Sequence, residues 1–198
     1  PEYIYSLTPN GGQVNLFEAS TLTHQVNGHP LRLHMQTAFP YNNEVSIEVS
    51  CDAPLDACLE IRVPGWATQA LAVKMNGERV ATGKPGTYIK LQRVWKAGDK
   101  IEFTLPASFR TTQYVGMESG FESGHYALEY GPVLMAAVCT KDNTEPFVPC
   151  LAKEITSKLR PVSGKPLHFT VAGCDDIEFM PYYEVEGQAF SNFPAYLF

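Results

Sequence analysis

Between Ala57 and Leu105 apolar and polar residues alternate in short runs: Leu59, Ile61 and Val63; Leu71, Val73 and Met75; Ile89 and Leu91; Ile101, Phe103 and Leu105. A period of two sends successive side chains to opposite sides of an extended chain, so each run predicts a strand with one buried face. Pro64-Gly65, Asn76-Gly77, Lys84-Pro85-Gly86 and Ala97-Gly98-Asp99 punctuate the runs. Each supplies turn dihedrals, and Asn-Gly is the strongest short hairpin signal. The stretch predicts four or five strands in a β-sandwich meander.

The pattern continues on both sides, where residues 2–7 alternate weakly and read either as the tail of an upstream helix or as a first strand. Residues 13–17 and 21–26 read as strands hinged near Glu18-Ala19-Ser20, and Asn27-Gly28 turns the chain into a strand over 31–37. Residues 44–51 alternate most cleanly of all. After the central stretch, residues 108–115 lead out of the first sheet pair, and 117–124 have the composition of a linker. Strands follow at 125–130 and 132–140, broken at Gly131-Pro132, then a polar connector, a short helical or irregular piece at 151–159, and strands at 167–171 and 177–183. Fifteen Pro, fifteen Gly, ten Tyr and eleven Phe in 198 residues agree with sheet rather than helix. The expected fold is all-β: two consecutive antiparallel β-sandwich domains of jelly-roll type, at 11–116 and 125–198, with little helix.

A formal charge of -6 and a pI near 5.4, with no Lys/Arg cluster interleaved with aromatics, argue against nucleic acid as a partner. The longest uncharged apolar run, at 132–138, is too short to cross a bilayer, so no membrane partner is expected. No secretion signal opens the chain; the start at Pro1, inside a Tyr-rich run, reads as that of an excised piece. The compartment stays open between bacterial periplasm or secretion and cytoplasm. Cys51, Cys58, Cys139, Cys150 and Cys174 are odd in number and irregularly spaced, without a CxxC or His-x-x-x-His pair, which disfavours zinc. They read as mostly buried thiols, Cys51 being in phase with Val45, Ile47 and Val49. A Cys139–Cys150 disulfide is the alternative and would imply an oxidising compartment.

Few residues offer chemistry. Asp175-Asp176 read as turn residues after Gly173-Cys174, and Glu118 and Glu122 as solvated linker carboxylates. His24, His29, His34, His125 and His168 are scattered; His34 lies on the polar face of its strand, within reach of a cross-strand partner. There is no Gly-x-Ser-x-Gly elbow, and Asn10-Gly11-Gly12 lacks the Lys-Ser or Lys-Thr of a phosphate loop. Trp66, after Pro64-Gly65, and Trp95, before Lys96-Ala97-Gly98-Asp99, read as core or inter-domain packing. Exposed on a sandwich, either indole could instead stack on a sugar ring.

Six stretches in order resemble a known pattern: Val14-Asn15-Leu16-Phe17-Glu18-Ala19-Ser20; Gln36-Thr37-Ala38-Phe39-Pro40; Ile61-Arg62-Val63-Pro64-Gly65-Trp66-Ala67; Val73-Lys74-Met75-Asn76-Gly77; Tyr88-Ile89 with Arg93-Val94-Trp95-Lys96-Ala97-Gly98-Asp99; and Leu105-Pro106. With Tyr126-Ala127-Leu128-Glu129-Tyr130-Gly131-Pro132-Val133-Leu134, they resemble the region downstream of the catalytic barrel in glycoside hydrolase family 127, the β-L-arabinofuranosidase-like enzymes. Residues 141–198 are similar to a small C-terminal β-module appended to such enzymes. The resemblance implies a parent with an (α/α)6 barrel followed by two β-sandwich domains, and makes residues 1–10 the end of that barrel or a linker. It also implies a cysteine nucleophile, a glutamate acid/base and a zinc ion, all in the barrel. None of the five cysteines here matches the family's paired-cysteine motif, so no catalytic, cofactor or metal residue is carried over, and zinc is expected only in the catalytic domain.

The expected function is that of a non-catalytic portion of a glycoside hydrolase acting on plant-type, arabinose-containing glycans. It would cover the upstream barrel of the same polypeptide and build a homodimer contact, with Tyr3, Tyr5, Phe190, Phe193 and Tyr196 as its apolar flank. Alone it should be inactive. The rival reading is an autonomous carbohydrate-binding module using Trp66, Trp95 or a Tyr. An independent hydrolase would need two carboxylates about 5 to 10 Å apart in a cleft.

Overall fold

The computed structural model describes residues 3–114, 125–139 and 154–185. The linker expected at 117–124, Glu118 and Glu122, the Cys139–Cys150 pairing and the aromatic tail with Phe190, Phe193 and Tyr196 lie outside the described residues or side chains. The chain divides into two compact units, Pro1–Ala107 and Ser108–Phe198. It is all-β, with a single short helix among the described residues, and none there is long and apolar enough to cross a membrane.

The first unit has strands β1 (Tyr5–Thr8), β2 (Gly11–Val14), β3 (Ser20–Val26), β4 (His29–Thr37), β5 (Glu44–Cys51), β6 (Leu55–Arg62), β7 (Leu71–Met75), β8 (Glu78–Gly83), β9 (Tyr88–Trp95) and β10 (Lys100–Thr104). A four-stranded sheet runs β1-β2-β6-β9 and a six-stranded sheet β3-β4-β5-β10-β7-β8. Their apolar faces meet in one core, built from Leu31, Leu33, Met35, Ile47, Leu59, Ile61, Val73, Ile101 and Trp95 among others. Burying such side chains stabilises by about 1.5–3 kcal/mol each, and this is what the alternation encodes.

Two details differ from the expected meander. The chain crosses between sheets at β2–β3, β5–β6, β6–β7, β8–β9 and β9–β10, so only β7–β8 in the central stretch is a hairpin within one sheet. A half-buried strand reports which face is covered, not which sheet it joins. The β2–β6 ladder, moreover, is parallel. Both Asn-Gly turns form as predicted: Asn27 and Gly28, and Asn76 and Gly77, all take positive φ, the geometry a right-twisted hairpin requires.

The second unit is one six-stranded sheet, in the order β11 (Phe109–Tyr114), β12 (His125–Tyr130), β13 (Val133–Cys139), β16 (Cys174–Pro181), β15 (Phe169–Val171), β14 (Leu159–Pro161). Helix α1 (Ile155–Lys158) precedes β14, and a 3₁₀ turn, Tyr182–Glu184, follows β16. Phe109 meets Phe169 edge-on at 4.8 Å, so the sheet curls enough to bring β11 and β15 together. Its core holds Leu128, Met135, Ala137, Ile155, Val171, Ile177 and Phe179. Residues 109–114, read from sequence as the end of the first sandwich, pair instead with β12. Residues 5–8 form a strand on β2, the first-strand alternative for a stretch that the resemblance assigns to a barrel end or linker.

Candidate functional site

The outer face of the four-stranded sheet is polar because the strands that bury Leu59, Ile61, Ile89 and Leu91 must turn the intervening residues to water. Those residues bond to one another. Tyr88 Oη donates to Asn15 Oδ1 at 2.6 Å, and Asn15 Nδ2 donates to Ser6 Oγ at 2.8 Å. One row along, Gln13 Nε2 donates to Glu60 Oε2 at 2.6 Å, and further on Gln92 Nε2 donates to Asp56 Oδ1 at 2.9 Å. Tyr88 is 43% exposed. A face of amides and carboxylates with one exposed phenol ring suits hydroxyl-rich ligands, or a hydrated domain contact.

The two tryptophans part ways. Trp95 is 0% exposed, its Nε1–H donates to the Ala57 carbonyl at 2.9 Å, and the Arg93 guanidinium lies 5.5 Å from its ring centroid. No sugar can reach that ring, which corrects the rival assignment for this residue; the strand pairing Leu55↔Trp95 carries the indole into the core. Trp66 is half-buried and stacks on Phe39, centroids 5.7 Å apart and planes within 5°. It packs against the core edge and keeps some surface.

Of the histidines, His34 meets Thr21 Oγ1 across the strand pair at 3.0 Å, and His24 Nε2 lies 3.1 Å from the Thr8 carbonyl. His168, in the second unit, was not singled out by its sequence. Its Nδ1 lies 2.5 Å from Glu178 Oε1 and its Nε2 2.9 Å from Glu184 Oε2, while Lys165 Nζ is 3.1 Å from the same Glu178 oxygen. Burial alone would lower the imidazole pKa, but the bonds to Glu184 and Glu178 and their charges outweigh it and leave it raised. Burial works against Glu178 too; its bonds to His168 and Lys165 hold it below the ordinary carboxylate range. The turn before β16 is at Ala172-Gly173, where Gly173 takes φ +86, so Asp175 and Asp176 are strand residues rather than turn residues.

Cys51, Cys58 and Cys174 are free thiols, partly rather than wholly buried. Burial pushes the Cys51 and Cys58 thiols up, away from nucleophilic character. The zinc implied for the family's barrel finds no fitting donor set: among the described residues no group of three or more His, Cys, Asp and Glu could hold a metal ion. His168 does not serve, since both its nitrogens already face carboxylates. Tyr5 of the expected apolar flank is buried and bonds Ser20, whereas Tyr3 is 82% exposed.

Residues 12–107, nearly the whole first unit, match the family described as "Beta-L-arabinofuranosidase, GH127 middle domain". Among solved structures, the chain is similar to a GH127 β-L-arabinofuranosidase from Geobacillus stearothermophilus T6, at 26% identity and a TM-score of 0.62, over 74% of this chain and 23% of that one. A structure titled "Glycoside hydrolase" gives 22% identity and a TM-score of 0.66 over 91% of this chain and 34% of that one. A GH127 β-arabinofuranosidase gives 22% and 0.58 over 72% and 25%. The last two show the shared fold alone. The chain spans about a quarter to a third of the length of these structures, and no curated protein matches it. Across residues 12–107 the chain is therefore similar to the middle domains of the GH127 β-L-arabinofuranosidases, the family its sequence resembles.

Proposed function

We propose that this chain is a non-catalytic β-sandwich portion of a glycoside hydrolase acting on arabinose-containing glycans, and that it braces the catalytic barrel of its parent. The match of residues 12–107 to a GH127 middle domain carries this reading. The site geometry agrees with it: the titratable groups that come together, His168 with Glu178 and Glu184, satisfy one another rather than opening onto a cleft. Tyr3, Leu7 and Leu16, exposed in the first unit, would supply apolar surface for a neighbouring domain or a second copy. Zinc and the catalytic cysteine and glutamate would reside in the parent's barrel.

The test is an assay of the 198-residue chain, supplied with zinc, on an aryl β-L-arabinofuranoside, with light scattering alongside. No turnover, together with self-association through the uncovered apolar surface, is the expected result; turnover by the chain alone would overturn the reading. The carbohydrate-binding alternative draws on half-buried Trp66 and exposed Tyr88. Calorimetric titration with arabinan separates it: saturable binding at about millimolar or tighter, near −4 kcal/mol, favours a binding module.

A further inference from the structure

We propose that His168 is a proton-operated latch: charged, it holds the 3₁₀ turn Tyr182–Glu184 against the second unit's sheet through Glu178 and Glu184, and deprotonated it lets that turn go. Between two ionised carboxylates the geometry suits the charged form. A neutral imidazole has one donor and one acceptor nitrogen, and only an imidazolium can donate from both. Here both nitrogens face carboxylate oxygens, at 2.5 and 2.9 Å. Loss of a proton would turn a lone pair towards a carboxylate, replacing attraction with repulsion.

The three groups sit on different segments: His168 on the loop before β15, Glu178 on β16, and Glu184 on the 3₁₀ turn. The His168 side chain is 11% exposed and that of Glu178 13%, whereas that of Glu184 is 29% exposed. Glu178 also lies 3.1 Å from Lys165 Nζ, and Glu184, the more exposed of the two carboxylates, sits on the short 3₁₀ turn. The backbone is committed to the arrangement as well. Leu167, just before His168, takes φ +59, a left-handed conformation that a bulky residue adopts only when its surroundings impose it. Bonds from His168 N–H to the Lys165 carbonyl and from Val162 N–H to the His168 carbonyl hold that loop.

The other charged groups near the latch are Arg160, in the same cross-strand row as Glu178 but donating to the Ser157 and Leu159 carbonyls, and Asp176, two residues before Glu178 on its face. A raised pKa in the folded state means that the stabilisation is complete below the ordinary value of 6.5 and is lost as pH rises through the higher folded value.

The experiment is NMR on the full 198-residue chain from about pH 5.5 to about pH 9, following the His168 ring and the backbone order parameters of residues 182–184. The expected result is a ring titration above 6.5 and, with the same midpoint, a fall of the turn's order parameters from about 0.85 to below about 0.6. Glu184→Gln keeps an acceptor but removes the charge; it should lower both midpoints together. His168→Asn should leave the turn loose at every pH. A ring titrating at or below 6.5, order parameters that ignore the ring's titration, or a Glu184→Gln chain indistinguishable from the parent would each overturn the latch.

Discussion

The Asn76 side-chain amide donates to the Asp99 carboxylate across 2.9 Å, tying the β7–β8 turn to the β9–β10 turn. Both side chains are used twice: Asn76 Oδ1 accepts from Lys100 N–H at 2.8 Å, and Asp99 Oδ2 accepts from Lys96 N–H at 2.9 Å. Asp99 is only 8% exposed. Burial would raise its pKa, yet the bonds from Asn76 and Lys96 and the charges of Arg93 and Lys96 hold it below the usual value of 3.8. Asp99→Ala removes two bonds to an ionised carboxylate and should cost the first unit about 1–3 kcal/mol. Because the folded pKa is depressed, the ionised carboxylate contributes above its unfolded pKa and stops contributing as pH falls through the folded one. Urea midpoints followed by tryptophan emission should therefore separate wild type from variant at neutral pH, and the gap should narrow in acid. An equal gap at both would remove charge from the account.

Gly11 is irreplaceable for a simpler reason. At φ +149, a Cβ there would stand 1.9 Å from the Cys58 carbonyl oxygen, on the parallel partner strand β6. That oxygen belongs to backbone, so nothing soft can yield. Gly11→Ala should force β2 off β6, which loses pairing and the burial of Val14, at a cost of about 3 kcal/mol or more. A variant that melts with the parent in a thermal scan would refute the contact. Gly28→Ala, where no atom lies within 4 Å, isolates the cost of positive φ alone.

The alternation that revealed the strands was enough to place nearly every core residue of the first unit, since burial of Leu59, Ile61, Ile101 and Phe103 follows from their phase alone. Sheet membership was not legible in the same way. Ile61 and Val73 have identical local patterns, yet β6 and β7 join different sheets, because partner choice depends on contacts far away in sequence. The nine residues between His168 and Glu178 hide their meeting until the Ala172-Gly173 turn sets the β15–β16 register. With that turn and its bulge identified, Thr170 falls opposite Glu178 and the histidine two residues earlier becomes its diagonal neighbour. Trp95 was ambiguous because an indole ahead of a turn can face either way, and the decisive bond runs to Ala57 on another strand.

The two tryptophans should answer differently to substitution. Trp95→Phe removes the bond to the Ala57 carbonyl and leaves a void in a fully packed core, costing about 2–4 kcal/mol in the urea midpoint. Trp66→Ala trims a half-buried ring and its stack on Phe39, for roughly 1–2 kcal/mol. Were the chain to bind arabinan, only Trp66 of the two could contribute, since Trp95 has no exposed surface. Equal destabilisation by the two would mean that the core does not close over Trp95.

Arg110 grips Glu129 with a fork across the β11–β12 ladder: Nε to Oε2 at 3.0 Å and Nη2 to Oε1 at 3.1 Å, with Thr112 Oγ1 donating to Oε2 at 2.6 Å. The pair stands in register, Arg110 opposite Glu129, on a strand that, among the described residues, has a neighbour on one side only. A lysine can place one charge there but not two parallel bonds. The arginine is 41% exposed, so solvent screens the charge and the fork is worth at most about 1 kcal/mol. An edge strand held by one ladder opens locally, so the effect should concentrate in β11. Arg110→Lys is expected to speed amide exchange in residues 110–112 by up to about fivefold while leaving β13 and β16 unchanged. Raising the salt concentration should erase part of the difference, and uniform acceleration over the whole sheet would show that β11 does not open independently.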